Sequence, residues 1–162
     1  LNNINLMSPD TFNNNPFIFA SHHRVLFDKA LDMYRANKIF GIGPKMFREA
    51  CSYEQFDTGA LPHSGCSTHP HNMYIQLLSE TGIIGFSFIF SVFILILFLI
   101  FKQFFGILKG KAYYSNFKTS LLIAMFISLW PLIPSGNIFH NWTLIIYFLP
   151  LGLFLAPVDT KK

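Results

Sequence analysis

The stretch GIIGFSFIFSVFILILFLIF, residues 82–101, contains no charged side chain and decides the fold class. An α-helix rises about 1.5 Å per residue, so a run of this length spans about 30 Å, the thickness of a bilayer's hydrocarbon core. A helix buried in a soluble domain is rarely so long and so uniformly apolar. The stretch therefore predicts a transmembrane helix.

The composition of the whole chain agrees with this prediction. Of its 162 residues, 52% are hydrophobic and 12% are charged, against about 25% charged in a soluble domain. The formal charge is +4, but the lysines that carry it are clustered, which indicates orientation in a membrane and argues against nucleic-acid binding. Because the chain starts at Leu1 without a signal-peptide pattern, we expect a fragment whose earlier spans are missing.

The segments that follow the apolar run predict two further spans. Residues 102–118 contain four lysines and no acid, which predicts a short cytoplasmic loop. The uncharged region after Lys118 is broken by a group of turn-forming residues, so we expect spans at 119–132 and 142–156. The breaking residues are Pro131, Pro134, Gly136 and Asn137.

Three spans would leave residues 1–81 outside, in the periplasm of a Gram-negative cell. The expected architecture is all-α: polytopic transmembrane helices at 82–157 joined to a helical periplasmic loop region at 1–81. Within the outer region we expect a helix at 22–37 with Ser21 as its N-cap, and a turn at 40–44. We also expect one or two helical turns at 46–53, and a helix that begins at Pro70 and runs without interruption into the first span.

The segment HSGCSTHPHN, residues 63–72, holds the densest group of chemically active side chains, and three interpretations compete. The first is a metal site, because His63, Cys66, His69 and His71 are possible zinc ligands. The second is structural, with the rings solvated or bound to backbone carbonyls. We prefer it for most of the histidines: His22, His23, His63, His69 and His140.

The third interpretation is catalytic and concerns His71. A histidine accepts a proton from a hydroxyl near neutral pH. In the first turn of a helix beginning at Pro70, the positive end of the helix dipole would keep the ring neutral. The same helix end would offer N–H groups to an anion.

The order of several motifs resembles one enzyme family. His71-Asn72, followed after nine residues by Gly82-Ile-Ile-Gly85, is similar to the His-Asn and Gly-x-x-Gly signature of the O-antigen ligase and polymerase family. Upstream, His23-Arg24 and then Gly41-Ile-Gly43-Pro44 with Phe47 resemble that family's preceding stretch. The likeness covers about residues 21–101.

This resemblance implies a fold like that of lipid-dependent glycosyltransferases. It implies transfer of a glycan from undecaprenyl diphosphate, on the periplasmic side of the inner membrane, without a metal or other cofactor. The acceptor is lipid A–core for a ligase or another repeat unit for a polymerase. His71 matches the family's proposed base, and Arg24 matches an arginine that holds the diphosphate. The family's further upstream arginine has no counterpart in this chain.

Other residues receive supporting roles. Lys45 and Arg48 could reach the diphosphate or lipid headgroups, or belong to a plain surface. Gly82 and Gly85 are expected to be helix-packing positions, and Glu80 is expected to be structural. Two more residues, Cys51 and Cys66, are the only cysteines and are predicted to form a disulfide.

A non-enzymatic membrane protein, such as a transport or metal-responsive subunit, is the rival class. Transporters usually place ionisable side chains within their spans, near the midplane of the bilayer. Residues 82–101 contain none, which counts against transport.

The lysine distribution predicts opposite exposure of two loops. In a variant lacking Cys51 and Cys66, a single cysteine at Gly59 should react with an impermeant maleimide in cells whose outer membrane is permeabilised. A single cysteine at Lys111 should be protected in the same cells. Labelling at position 111 would overturn the topology.

Overall fold

The computed structural model describes residues 21–56 and 66–157, so the interpretation of His63 lies outside the described part of the chain. The described residues form helices without any strand, which confirms the all-α class for them. The elements are α1 (Ser21–Ala36), α2 (Phe47–Ala50), a 3-10 turn (Glu54–Phe56), α3 (Met73–Leu108), α4 (Asn116–Ser128) and α5 (Asn141–Leu155).

The elements before α3, called here the outer region after their predicted location, share one small core. Helix α1 turns Leu26, Ala30 and Met33 inward, at the spacing of one helical face. These side chains pack against buried residues of α2 and the segment after it: Phe47, Ala50, Cys51 and Phe56. Lys29 is also buried on α1, where its ammonium group donates a hydrogen bond of 2.9 Å to the carbonyl of Cys51. Apolar packing and this polar contact together hold α1 against α2.

Helix α3 is the membrane candidate. With 36 residues, it is the one described helix that is long and apolar enough to cross a bilayer. Helices α4 and α5 are apolar but have 13 and 15 residues, fewer than the roughly 17–25 that a crossing needs. Helix α3 also continues to Leu108, so the connection to α4 is shorter than the predicted loop at 102–118.

Two predictions about α3 are wrong. The helix begins at Met73, not at Pro70, because the side chain of Asn72 accepts hydrogen bonds from the amides of Tyr74 and Ile75 and caps the helix. It is also not continuous, because Gly82 has φ +64° and ψ −163° and kinks it. The kink falls at the predicted boundary between the outer region and the apolar run.

The turn at residues 37–44, called here the glycine turn, packs against the kink and forms hydrogen bonds with its backbone. The amide of Ile42 donates to the carbonyl of Ser79 at 2.9 Å, and the amide of Gly43 donates to the carbonyl of Glu80 at 3.0 Å. Beyond the kink, the amide of Ile83 donates to the carbonyl of Lys38 at 2.8 Å. The backbone groups released by the kink are therefore bonded to the glycine turn instead of to their own helix.

This exchange requires two glycines at the contact. A Cβ atom on Gly82 would lie 2.3 Å from the carbonyl oxygen of Ile39, and one on Gly41 would lie 2.4 Å from the carbonyl carbon of Glu80. Gly82 is thus a close-approach position, as predicted, but it faces a turn rather than a helix. A Cβ on Gly85 would meet the Thr81 hydroxyl of its own helix.

The predicted disulfide between Cys51 and Cys66 is confirmed. Their Cα atoms are 5.3 Å apart, across a sequence separation of 15 residues. Cys51 follows α2, and Cys66 precedes the start of α3. The bond therefore ties the segment that leads into α3 to the outer core.

We expect Gly82→Ala to be the most damaging of three glycine substitutions. It combines a backbone conformation, φ +64° and ψ −163°, that is essentially restricted to glycine with a backbone overlap. Gly110→Ala tests a positive φ without an overlap, because Gly110 has φ +72° and open space around it. Gly152→Ala tests an open helical position. Apparent melting temperatures in detergent should fall most for position 82 and least for 152; equal values for 82 and 110 would contradict the close approach.

Loss of the disulfide should destabilise the outer region. Closing a loop of this size contributes about 3 kcal/mol to the free energy of unfolding, so the double variant Cys51→Ser with Cys66→Ser should melt earlier than the parent protein. Reductant should lower the melting temperature of the parent but not of the double variant. If reductant leaves the melting temperature of the parent protein unchanged, the disulfide does not contribute to its stability.

Candidate active site at the start of α3

His71 lies immediately before the N-cap of α3, in a backbone conformation that favours glycine. Its φ is +58°, and Lys45 is the other non-glycine residue with positive φ in the described ranges. The predicted placement of His71 in the first helical turn is therefore wrong. Such conformations cost roughly 1–3 kcal/mol and cluster at functional sites, where the surroundings hold them.

The contacts that hold this conformation come from the loop between α4 and α5, residues 129–140, called here the α4–α5 loop. The amide of Ser135 donates to the carbonyl of His71 at 2.9 Å. The side-chain amide of Asn72 donates to the carbonyl of Pro131 at 2.7 Å. The hydroxyl of Tyr74 donates to the carbonyl of Leu129 at 2.7 Å. The backbone at His71 is thus fixed by an element more than fifty residues later in the chain.

The ring of His71 is half-buried among polar and aromatic neighbours. Its Nε2 atom lies 3.3 Å from the hydroxyl oxygen of Ser67. Its ring centroid is 5.6 Å from that of His23, in an edge-to-face arrangement, and 4.4 Å from that of His69. The contact with the Ser67 hydroxyl orients the ring through one of its two nitrogens.

His69 has the structural role that the sequence favoured. Its Nε2 lies 3.1 Å from the carbonyl of Ser135, and its Nδ1 lies 2.9 Å from the hydroxyl of Thr68. A carbonyl accepts only, so Nε2 carries the proton and Nδ1 accepts from the hydroxyl. Burial lowers the pKa of the His69 ring, and the bond to the Ser135 carbonyl acts in the opposite direction. The neutral ring of His69 therefore links the segment that contains His71 to the α4–α5 loop by a hydrogen bond.

Arg24 follows His23 on α1, and the ring of His23 contacts that of His71. The guanidinium Nε of Arg24 lies 3.7 Å from a carboxylate oxygen of Asp28, and the two side chains are 44% and 53% exposed. An exposed ion pair of this kind contributes about 0–1 kcal/mol to stability. The structure thus brings the helix that carries Arg24 to His71.

A row of polar side chains on α3 was missed as a functional feature. Asn72, Gln76 and Glu80 are buried and spaced by four residues, which puts them on one helical face. Gln76 donates to Glu80 at 3.0 Å and to Asn137 at 2.9 Å, and it accepts from the amide of Ile138 at 3.1 Å. The four-residue spacing of Asn72, Gln76 and Glu80 was the feature of the sequence from which this network could have been predicted.

Glu80 completes the polar row and has the structural role expected for it. Its carboxylate accepts from the amides of Lys45 at 3.1 Å and Phe47 at 2.8 Å. These amides lie just after the glycine turn and at the start of α2. The polar row therefore joins the glycine turn, α3 and the α4–α5 loop in one hydrogen-bonded network.

An open cavity of about 510 Å³ lies between α2 and the α4–α5 loop. Lys45 and Arg48, the predicted diphosphate ligands, both line it, whereas Arg24 and His71 do not belong to its described lining. The remaining lining residues are Thr68, His69, Gly136, Asn137, Phe139, His140 and Thr143. Arg24 on α1 and the pair Lys45 and Arg48 at the cavity are thus in two different places.

Two other expectations about the site need correction. Cys66 is disulfide-bonded, so it is not available as the thiolate that the metal interpretation required. The amides of Tyr74 and Ile75 are bonded to the side chain of Asn72. They are therefore not offered to an anion, contrary to the expectation for this helix end.

The candidate site lies within a range that matches a known protein family. A family model described as O-antigen ligase matches residues 20–90, a range that contains α1, the glycine turn, His71 and the kink of α3. Comparison with curated proteins and with solved structures gives no match. The resemblance predicted from the motifs is therefore confirmed: residues 20–90 of this chain match the O-antigen ligase family.

Proposed function

We propose that this chain carries the active site of a membrane glycosyltransferase of the O-antigen ligase type. It moves a glycan from undecaprenyl diphosphate to a lipid A–core acceptor on the periplasmic face of the inner membrane. The observation that carries the proposal is the position of His71: within the range matched by the family, in a strained backbone conformation that the α4–α5 loop holds.

The proposed reaction is a single displacement with inversion at the sugar. The acceptor hydroxyl oxygen attacks the anomeric carbon, and the bond between that carbon and the diphosphate oxygen breaks, with its electron pair staying on the diphosphate. His71 takes the proton from the hydroxyl. We expect no metal to take part, because a neutral imidazole and a guanidinium supply the proton acceptor and the positive charge that this step needs.

Arg24 is proposed to stabilise the departing diphosphate. A guanidinium stays protonated and presents paired N–H groups to phosphate oxygens. Arg24 follows His23 on α1, and the contact between the rings of His23 and His71 brings this helix turn to the proposed base. The exposed pairing with Asp28 holds the side chain without burying its charge.

The membrane arrangement belongs to the same proposal. The apolar part of α3 after Gly82 crosses the inner membrane, and the site at its outer end meets the lipid-linked donor from the bilayer. Helices α4 and α5 complete a multi-pass arrangement by tilting or by anchoring at the interface, for which Trp130 and Trp142 are suited. Both tryptophans are exposed in the described structure.

We expect His71→Ala and His71→Asn to abolish transfer in the full-length protein without lowering its abundance in the membrane. Loss of a general base costs about 10²–10⁴ in rate. Asparagine tolerates a positive φ, so His71→Asn should fold at least as stably as the parent. Arg24→Lys should also be impaired, because an ammonium cannot make the paired contact.

The measurement is glycan transfer by purified protein from undecaprenyl-diphosphate glycan, with lipid A–core and with a repeat-unit acceptor in separate reactions. The control is Arg35→Lys, which changes an exposed arginine at the end of α1 that pairs with Asp32. Near-normal turnover by His71→Asn would refute the base assignment. Transfer to the repeat unit alone would identify a polymerase, and loss of activity with chelator would refute metal independence.

A further inference from the structure

The cavity between α2 and the α4–α5 loop has the composition of a binding site for an anionic sugar. Lys45 and Arg48 supply two cationic side chains on one side, and His69 and His140 supply two rings. No carboxylate is among its described lining residues. Its volume of about 510 Å³ falls within the roughly 300–1,000 Å³ of small-molecule sites.

The carboxylates nearest to this cavity in the chain are already engaged. Glu80 is buried, and its oxygens accept from the amides of Lys45 and Phe47. Glu49 lies 4.0 Å from the guanidinium of Arg48, with both side chains about two-thirds exposed, 66% and 64%. Such a pair is weak in water. The lining itself therefore carries two cationic side chains and no carboxylate among the described residues, which favours a ligand that carries negative charge.

The other lining groups suit a carbohydrate. The hydroxyl of Thr143 and the amide N–H groups of Asn137 can pair with sugar hydroxyls, and the hydroxyl oxygen of Thr68 can still accept a hydrogen bond beside its contact with His69. Phe139 adds a half-buried ring to the wall. A cavity with a few polar groups and one aromatic wall is the usual composition of a site that orients a small polar ligand.

The position of the cavity relative to His71 indicates which substrate it binds. His69 lines the cavity, and its ring centroid lies 4.4 Å from that of His71. His71 also contacts His23, the neighbour of Arg24 on α1. His71 therefore contacts one residue that precedes Arg24 on α1 and one residue that lines the cavity with Lys45 and Arg48. The proposed reaction has two substrates, and the lipid diphosphate is assigned to Arg24.

We propose that this cavity binds a phosphate-bearing sugar of the acceptor, held by Lys45 and Arg48, and thereby presents an acceptor hydroxyl to His71. The inference rests on the proposed function and replaces the expectation that Lys45 and Arg48 bind the leaving diphosphate. The protein then recognises an acceptor by the negative charge of its phosphate, and it binds a neutral acceptor sugar more weakly.

The test compares a cavity variant with a matched control in the full-length protein. The cavity variant is Lys45→Gln with Arg48→Ala. The control is Lys38→Gln with Arg35→Ala, which removes the same charges from exposed positions that do not line the cavity. Melting temperatures establish that both proteins are folded.

Binding is measured first, without any reaction. The probes are a phosphorylated lipid A–core oligosaccharide and the same oligosaccharide after phosphatase treatment, titrated into the purified protein by calorimetry. We expect the cavity variant to bind the phosphorylated probe about tenfold more weakly, the loss typical of a charge-assisted hydrogen bond. The dephosphorylated probe should bind all three proteins equally weakly. Unchanged binding of the phosphorylated probe by the cavity variant would overturn the inference.

Kinetics then distinguish the acceptor from the donor. In the transfer reaction the cavity variant should raise KM for the phosphorylated acceptor about tenfold, with kcat and the KM for undecaprenyl-diphosphate glycan unchanged. A rise in the donor KM alone would return Lys45 and Arg48 to the diphosphate and refute the inference. If no protein transfers glycan, the proposed function fails, while the binding comparison still decides whether the cavity takes phosphorylated sugar.

Discussion

The structure depends on an exchange of backbone hydrogen bonds at Gly82. A kink in a long helix leaves amides and carbonyls without partners, which is costly next to an apolar environment. Here the glycine turn supplies those partners through Ile42, Gly43 and Lys38. The exchange therefore lies at Gly82, where the polar part of α3 meets its apolar part. Through the glycine turn, the outer region is bonded to the helix on both sides of this point.

From this point the polar row of Asn72, Gln76 and Glu80 extends toward the site. Asn72 and Gln76 both bond to the α4–α5 loop, Gln76 also bonds to Glu80, and Glu80 bonds to the start of α2. Buried polar side chains are stable when all are paired, and a network of this kind specifies one arrangement. The strained backbone of His71 is thus held by contacts that the apolar core alone would not provide.

The sequence was sufficient for the features that depend on local chemistry. Residues 82–101 predicted the long apolar helix, the spacing of Leu26 and Met33 predicted α1, and the two cysteines predicted their bond. The kink at Gly82, the conformation of His71 and the cap at Asn72 were not predicted, because each depends on a partner distant in the chain. Gly82 needs the glycine turn, and His71 needs Ser135. The division of cationic side chains between α1 and the cavity likewise depends on packing.

The polar row also constrains the number of residues between Asn72 and Gly82. Asn72, Gln76 and Glu80 keep one face because each step of four residues returns nearly to the same side of a helix with 3.6 residues per turn. Inserting a single residue between Asn72 and Gly82 would rotate one end against the other by about 100° and shift it by about 1.5 Å. His71 would then leave its place beside His23 and Ser67, so the number of residues between Asn72 and Gly82 is constrained as well as the identity of Gln76 and Glu80.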